Sequence, residues 1–218
     1  MTNKAVIVGA SGLIGRKLLN ILLQWPEYGE IISLGRKKIQ LKNNKLTQVV
    51  VDFDHLDNYE KYINGHALFC CLGTTLKKTP NLKEYRQIDH DYPVALAEIA
   101  KRNGVEQFHF VSSLGANAGS RYFYTRTKGE AENDLREMGL NCLEIYQPSL
   151  LTGHRNDRGV TEKAAIAVMR VVNPLLMGSL KKYRTIPAYT VAMAMFKQSL
   201  KNKEGVSIYP SDQIKKLA

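Results

Sequence analysis

The sequence predicts a doubly wound parallel α/β sheet, and three observations carry that prediction. Short apolar runs alternate with stretches of helical spacing from residue 4 to residue 146. A glycine-rich turn follows the first run directly. The apolar runs stop at glycine, proline or polar residues, where strands should end.

Residues 4–8 form a β-branched run that stops at Gly9. GASGLIG follows, and RKLLNILLQW then places Leu18, Leu19, Leu22 and Leu23 at helical spacing up to Pro26. Further strands are expected over 30–34, 47–51 and 67–72. A long helix is expected over 82–103, with Gly104 at the position of a helix C-cap. FHFVSS (108–113) reads as the fifth strand, 122–138 as a helix ending at Gly139, and 142–146 as the sixth strand, closed by Gln147-Pro148. This alternation means a parallel sheet covered on both faces.

After Pro148 the rhythm weakens, leaving expected helices over 161–172 and 188–201 and a last strand over 206–209. The 218 residues suit one domain. Residues 1–148 are expected to form the core, and 149–218 a small C-terminal region on the substrate side, at the sheet's carboxyl edge.

Hydrophobic residues make up 44% and charged residues 23%, which excludes wholesale disorder. No apolar run has the length of a membrane span. The first strand begins almost at once, leaving no room for a signal peptide, so a cytoplasmic protein is expected. Cys70, Cys71 and Cys142 lack zinc-ligand spacing and read as reduced core thiols. Net charge is +11, unevenly spread: residues 1–150 carry 19 Lys+Arg against 16 Asp+Glu, and 151–218 carry 12 against 4. The basic last third makes an acidic partner or substrate plausible.

Gly9, Gly12 and Gly15 fall between the first strand and the first helix. The first permits a tight turn, the second lets backbone approach a pyrophosphate, and the third lets helix and strand pack closely. The helix N-terminus then offers free N–H groups to phosphates. This is a Rossmann-type arrangement. An NAD site usually carries an acid at the end of the second strand, but here that stretch reads Ser33-Leu34-Gly35-Arg36-Lys37-Lys38. Arg36 can bind a 2′-phosphate as a fork and Lys37 can add a point charge, so NADPH is the expected cofactor. Asp52 stands either as an acceptor for the adenine amino group or as an ordinary turn residue.

Tyr124 and Lys128 are four residues apart on an expected helix and share one face. Ser113 ends the fifth strand, at the edge where such sheets bind ligands. A carbonyl accepting hydride builds charge on oxygen, which must be hydrogen-bonded and then protonated. Tyr124 would donate the proton, Lys128 would lower the phenol's pKa, and Ser113 would orient the oxygen. Ser112 is the rival, but strand alternation lets only one of the two face the site, and Ser113 is nearer the strand's end.

GASGLIG, SLGRKK, VVVDF, FCCLGTT, IDHDYPVALAEIAKRNGVEQFHFVSSLGA and YFYTRTKGEAE together resemble the atypical short-chain dehydrogenase/reductases, and within them the Tat-interacting oxidoreductase family. The likeness is dense over residues 4–150. It implies cofactor contacts from Ser11, Gly12, Leu13 and Ile14, with Leu72 and Gly73 lining the cofactor and Tyr124 paired with Lys128. It also implies a nicotinamide-side contact from Leu151, and an arginine matched by Arg155 or Arg158. Two departures stand out: the N-terminal extension of the animal members is missing, and Gln147-Pro148-Ser149 stands where Arg-Pro-Gly is usual.

His109 reads as a packed strand residue, and His90 and His154 as solvated or hydrogen-bonded loop residues. The Met-rich run over 164–177 reads first as core packing. Lys181, Lys182 and Arg184 around Tyr183 suit a solvated face or a funnel for an acidic substrate better than a nucleic-acid patch, since no recognition fold accompanies them. The expected function is NADPH-dependent reduction of a small carbonyl compound. The alternative is a regulator that senses NADPH and binds a protein partner without turnover. Exposed helices on such a sheet are also compatible with a homodimer.

Overall fold

The computed structural model describes residues 2–153, 173 and 176–218. The strands are β1 (Asn3–Val8), β2 (Tyr28–Gly35), β3 (Leu46–Val50), β4 (Ala67–Cys70), β5 (Gln107–Val111), β6 (Cys142–Gln147), β7 (Leu151–Thr152), β8 (Ile186–Pro187) and β9 (Gly205–Pro210). Seven of them form one parallel sheet in the order β3-β2-β1-β4-β5-β6-β9, and β7 pairs separately with β8. Strand order reverses between β1 and β4, so a crevice opens at their carboxyl ends.

Period-two alternation sends β1 into two cores. Ala5 and Ile7 join Phe69 and Tyr146 on the face covered by α1 (Leu13–Gln24). Val6 and Val8 join Leu68, Phe108 and Phe110 on the opposite face. That second face is covered by a 3-10 segment (Phe53–Tyr62), α3 (Tyr92–Arg102) and α4 (Phe123–Glu137). Strands buried on both sides therefore read as continuous apolar runs.

The helix expected over 82–103 is broken into α2 (Leu82–Arg86), a π turn (Gln87–Asp91) and α3. Pro93 is the cause. It has no N–H to give the Asp89 carbonyl, and the backbone widens so that Tyr92 N–H reaches Gln87 instead. His90 consequently lies within this helical turn rather than in a loop. It is buried, with its ring nitrogens 2.7 Å from Asp91 and 2.9 Å from Asp134. The 3-10 segment, polar and short, was not expected from the sequence; Asp52 caps it by accepting from Asp54 N–H at 3.1 Å.

Beyond residue 149, the expected second helix appears as α5 (Ala188–Ser199) and the expected last strand as β9, followed by α6 (Ser211–Leu217). β9 extends the main sheet beside β6, and α5 joins the core that α1 covers. This stretch thus completes the sheet and also supplies part of its carboxyl edge. The helix expected over 161–172, His154, Arg155, Arg158 and nearly all of the Met-rich run lie outside the described residues.

Candidate functional site

Gly9 has φ +84°, a conformation that L side chains rarely adopt. A Cβ on it would also stand 2.6 Å from the Cys71 carbonyl oxygen. A Cβ on Gly15 would collide with the Gly9 carbonyl, so this glycine is what lets α1 descend onto the turn. Gly12 is the N-cap of α1, and no side chain caps the helix there. The first turn of α1 also holds no acid. Its leading N–H groups and partial positive charge are thus open to an anion.

This turn borders a cleft of about 890 Å³ along the sheet's carboxyl edge. Gly12, Leu13, Ile14, Leu72, Gly73 and Leu151 line it, and so do Ser113, Tyr124 and Lys128. Gly9, Ser11 and Gly15 shape the turn without lining the cleft. Arg36 and Lys37 follow β2 as exposed residues, and neither forms an ion pair among the described residues. Asp52 follows β3 and is engaged locally, with Asp54 N–H on one oxygen and His55 Nδ1 at 2.9 Å from the other.

The two serines both border the cleft but are held differently. Ser112 is buried, and its hydroxyl donates to Glu132 on α4. Ser113 is half-buried, and its nearest acceptor is the Leu114 carbonyl at 3.5 Å, too long to hold the hydroxyl firmly. Both serines stand just beyond β5, which ends at Val111. Tyr124 is 39% exposed in the first turn of α4, and Lys128, one turn on, is only 3% exposed. α4 lies close to the serine loop because of Gly129, where any Cβ would run into the backbone of Asn117 and Ala118.

Lys128 does not stand alone. Its Nζ is 3.0 Å from Asp89 Oδ1 and donates to the Val111 carbonyl at 3.2 Å, with the Leu72 carbonyl at 3.5 Å. The second oxygen of Asp89 accepts from Thr74 N–H at 2.8 Å. Burial works against the ammonium, but the charges of Asp89 and Tyr124 outweigh it, and the lysine pKa is raised. Burial pushes the Cys70 thiol up to about 11 and raises Cys71 further, so neither is a thiolate nucleophile near neutral pH.

Asp89 and Gly129 were not anticipated from the sequence. Pro93 inside a helical pattern was the available signal for Asp89. For Gly129, a glycine mid-helix was the signal of a close backbone approach. Lys182 and Tyr183 also line the cleft, with Lys182 Nζ 5.3 Å from the Tyr183 ring centroid. No group of three or more His, Cys, Asp or Glu is placed to hold a metal among the described residues. Among the same residues no helix is long and apolar enough to cross a membrane.

The fold is shared with solved enzymes. A UDP-N-acetylglucosamine 4-epimerase from Methanobrevibacter ruminantium M1 superposes with TM-score 0.70 at 16% identity, over 96% of this chain and 76% of that one. The enzyme WbmH of Bordetella bronchiseptica, solved with NAD+, superposes with TM-score 0.72 at 14% identity, over 99% and 79%. In sequence, Protein HTATIP2 of Rattus norvegicus is 36% identical over 162 residues, which is 72% of this chain and 66% of the rat protein. The match thus stops short of two thirds of that relative's length. Protein FMP52-2, mitochondrial, of Scheffersomyces stipitis is 29% identical over 92% of this chain and 87% of its own. A family model described as NAD(P)H-binding matches residues 9–172, well over half of the sequence, and this chain belongs to that family.

Proposed function

We propose that this protein is an NADPH-dependent oxidoreductase that reduces a small carbonyl compound. The observation that supports the reading is the convergence of Ser113, Tyr124 and Lys128 on the cleft bordered by the glycine turn. The chain fits a dinucleotide: Gly9 and Gly15 leave no room for side chains, and the α1 N-terminus is uncapped. Arg36 and Lys37, exposed beside the end of β2 and without an ion pair among the described residues, would hold the 2′-phosphate. Asp52 would accept from the adenine amino group, and Leu72, Gly73 and Leu151 would flank the cofactor.

The bound cofactor supplies the hydride. Ser113, whose hydroxyl is not firmly held, orients the substrate oxygen. Tyr124 donates the proton to that oxygen, and Lys128 supports the phenol from one helical turn away. Lys182, which also lines the cleft, favours a substrate with an acidic group. A cytoplasmic site of action is part of this reading, although the fungal relatives carry a mitochondrial label in their names. Fractionation of cells decides between the two.

The test is NADPH consumption by the purified protein against aldehydes and ketones, with and without a carboxylate. Turnover should fall at least ~100-fold in Tyr124→Phe, the scale of a lost general acid, while NADPH binding is kept. Full activity in that variant would remove the mechanism. No turnover with any carbonyl, together with NADPH-dependent binding of a protein partner, would instead establish a regulator.

A further inference from the structure

We propose that Asp89 is the positioning residue of this site, holding the Lys128 ammonium on the Val111 carbonyl and cancelling most of the positive charge that Tyr124 would otherwise feel. The proposal concerns the site read above as catalytic and specifies what sets its proton chemistry.

An ammonium has three N–H donors, and here three acceptors surround it: Asp89 at 3.0 Å, the Val111 carbonyl at 3.2 Å and the Leu72 carbonyl at 3.5 Å. The Phe110 ring covers it, with the centroid at 4.8 Å. The side chains of Lys128 and Asp89 are 4% and 1% exposed, so water screens neither charge. Oδ1 of Asp89 meets the ammonium as an ion pair without an aligned hydrogen bond, while Oδ2 is anchored by Thr74 N–H. The carboxylate is carried there by the π turn that Pro93 imposes, and is thus built into the backbone.

A neighbour of this pair therefore responds to a net charge close to zero. The titratable groups that face it are Tyr124 and Glu132 from α4, Tyr85 from α2, and Cys70 and Cys71 at the end of β4. The cysteines and Tyr85 are raised by burial and stay neutral near pH 7, and burial also raises Glu132. Asp89 is thus the group that decides how much of the lysine's charge reaches the phenol.

Tyr124 ionisation can be followed directly, without a substrate, as the ultraviolet difference between each protein and the same protein carrying Tyr124→Phe. In Asp89→Asn the midpoint should fall by about one pH unit or more, because the ammonium is left uncompensated. In Lys128→Met it should rise. In the double variant Asp89→Asn/Lys128→Gln, with both charges removed, it should return to within about half a unit of the unmodified protein. An unmoved midpoint in Asp89→Asn overturns the proposal, as does a double variant that rises as far as Lys128→Met. The double variant carries the test if Asp89→Asn alone does not fold. Since this titration needs no turnover, its failure is distinct from failure of the oxidoreductase reading.

Discussion

Gln147 donates from one amide nitrogen to both oxygens of Glu132, at 2.9 and 3.0 Å. Ser112 donates to the same carboxylate, which forms no ion pair among the described residues. Burial raises the Glu132 pKa first of all, while Ser112 and Gln147 hold it down only in part. A carboxyl whose folded value lies above its unfolded value favours the fold while protonated, and that advantage is lost as pH climbs through the folded value. Gln147 stands where the resembling family has arginine. Gln147→Arg should supply the missing cation, lower the Glu132 pKa and flatten this loss. Melting at pH 7 should rise by roughly 2–4 °C for about 1 kcal/mol gained. A lower Tm at every pH would show that the arginine does not fit the pocket.

Arg36 governs the choice between cofactors in the proposed reading. Calorimetry should find NADPH bound more tightly than NADH by the unmodified chain. Arg36→Ala should weaken NADPH roughly tenfold or more and leave NADH nearly unchanged. Equal affinities before the substitution would keep the dinucleotide site but remove the 2′-phosphate argument.

Much of this site is legible in the sequence because its parts are local. Gly9, Gly12 and Gly15 announce a turn through their spacing, and Tyr124 and Lys128 announce one helical face through theirs. Strand alternation does not separate Ser112 from Ser113, since both stand just beyond β5 and both border the cleft; what distinguishes them is the hydrogen bond that Ser112 gives to Glu132. Asp89 is different. It sits in a stretch whose periodicity continues straight through it, and its partner Lys128 is 39 residues away in the chain. Only the backbone consequence of Pro93 brings the carboxylate inward. Gly129 shows as a glycine in mid-helix, but the sequence does not say what approaches it, because that is the path of a loop ten or more residues earlier. Long-range pairing leaves no periodic trace.

Beneath the sheet, away from the cleft, Lys203 reaches Glu144 at 3.2 Å, Gln198 at 2.8 Å and Tyr209 at 2.5 Å. The Glu144 side chain is 1% exposed, so this ammonium is what makes its charge tolerable there. Lys203→Met should destabilise the fold by about 3 kcal/mol, as expected when one partner of a buried pair is removed. That corresponds to a Tm lower by roughly 6–12 °C. Glu144→Leu combined with Lys203→Met should recover most of the loss, and failure to recover would assign the effect to the lysine stem's packing instead.

His109 sets the acid limit of the same region. Its ring is fully buried, stacked on Phe69 with centroids 4.7 Å apart. Nδ1 lies 3.1 Å from the Tyr146 hydroxyl and Nε2 lies 3.0 Å from Gln107 Oε1, which suits a neutral ring with its proton on Nε2. Burial, followed by the positive charges of His66 and Lys203, pulls its pKa down to about 3. The unfolded chain therefore binds a proton near pH 6.5 that the folded chain refuses until about pH 3. Stability from this group is complete above about pH 6.5 and is lost as pH falls through that window. Denaturant unfolding between pH 7 and pH 5 should show about 2 kcal/mol more loss in the unmodified protein than in His109→Gln, which keeps polar partners for Tyr146 and Gln107 but cannot titrate. Equal losses in the two proteins would mean that the acid sensitivity comes from another group.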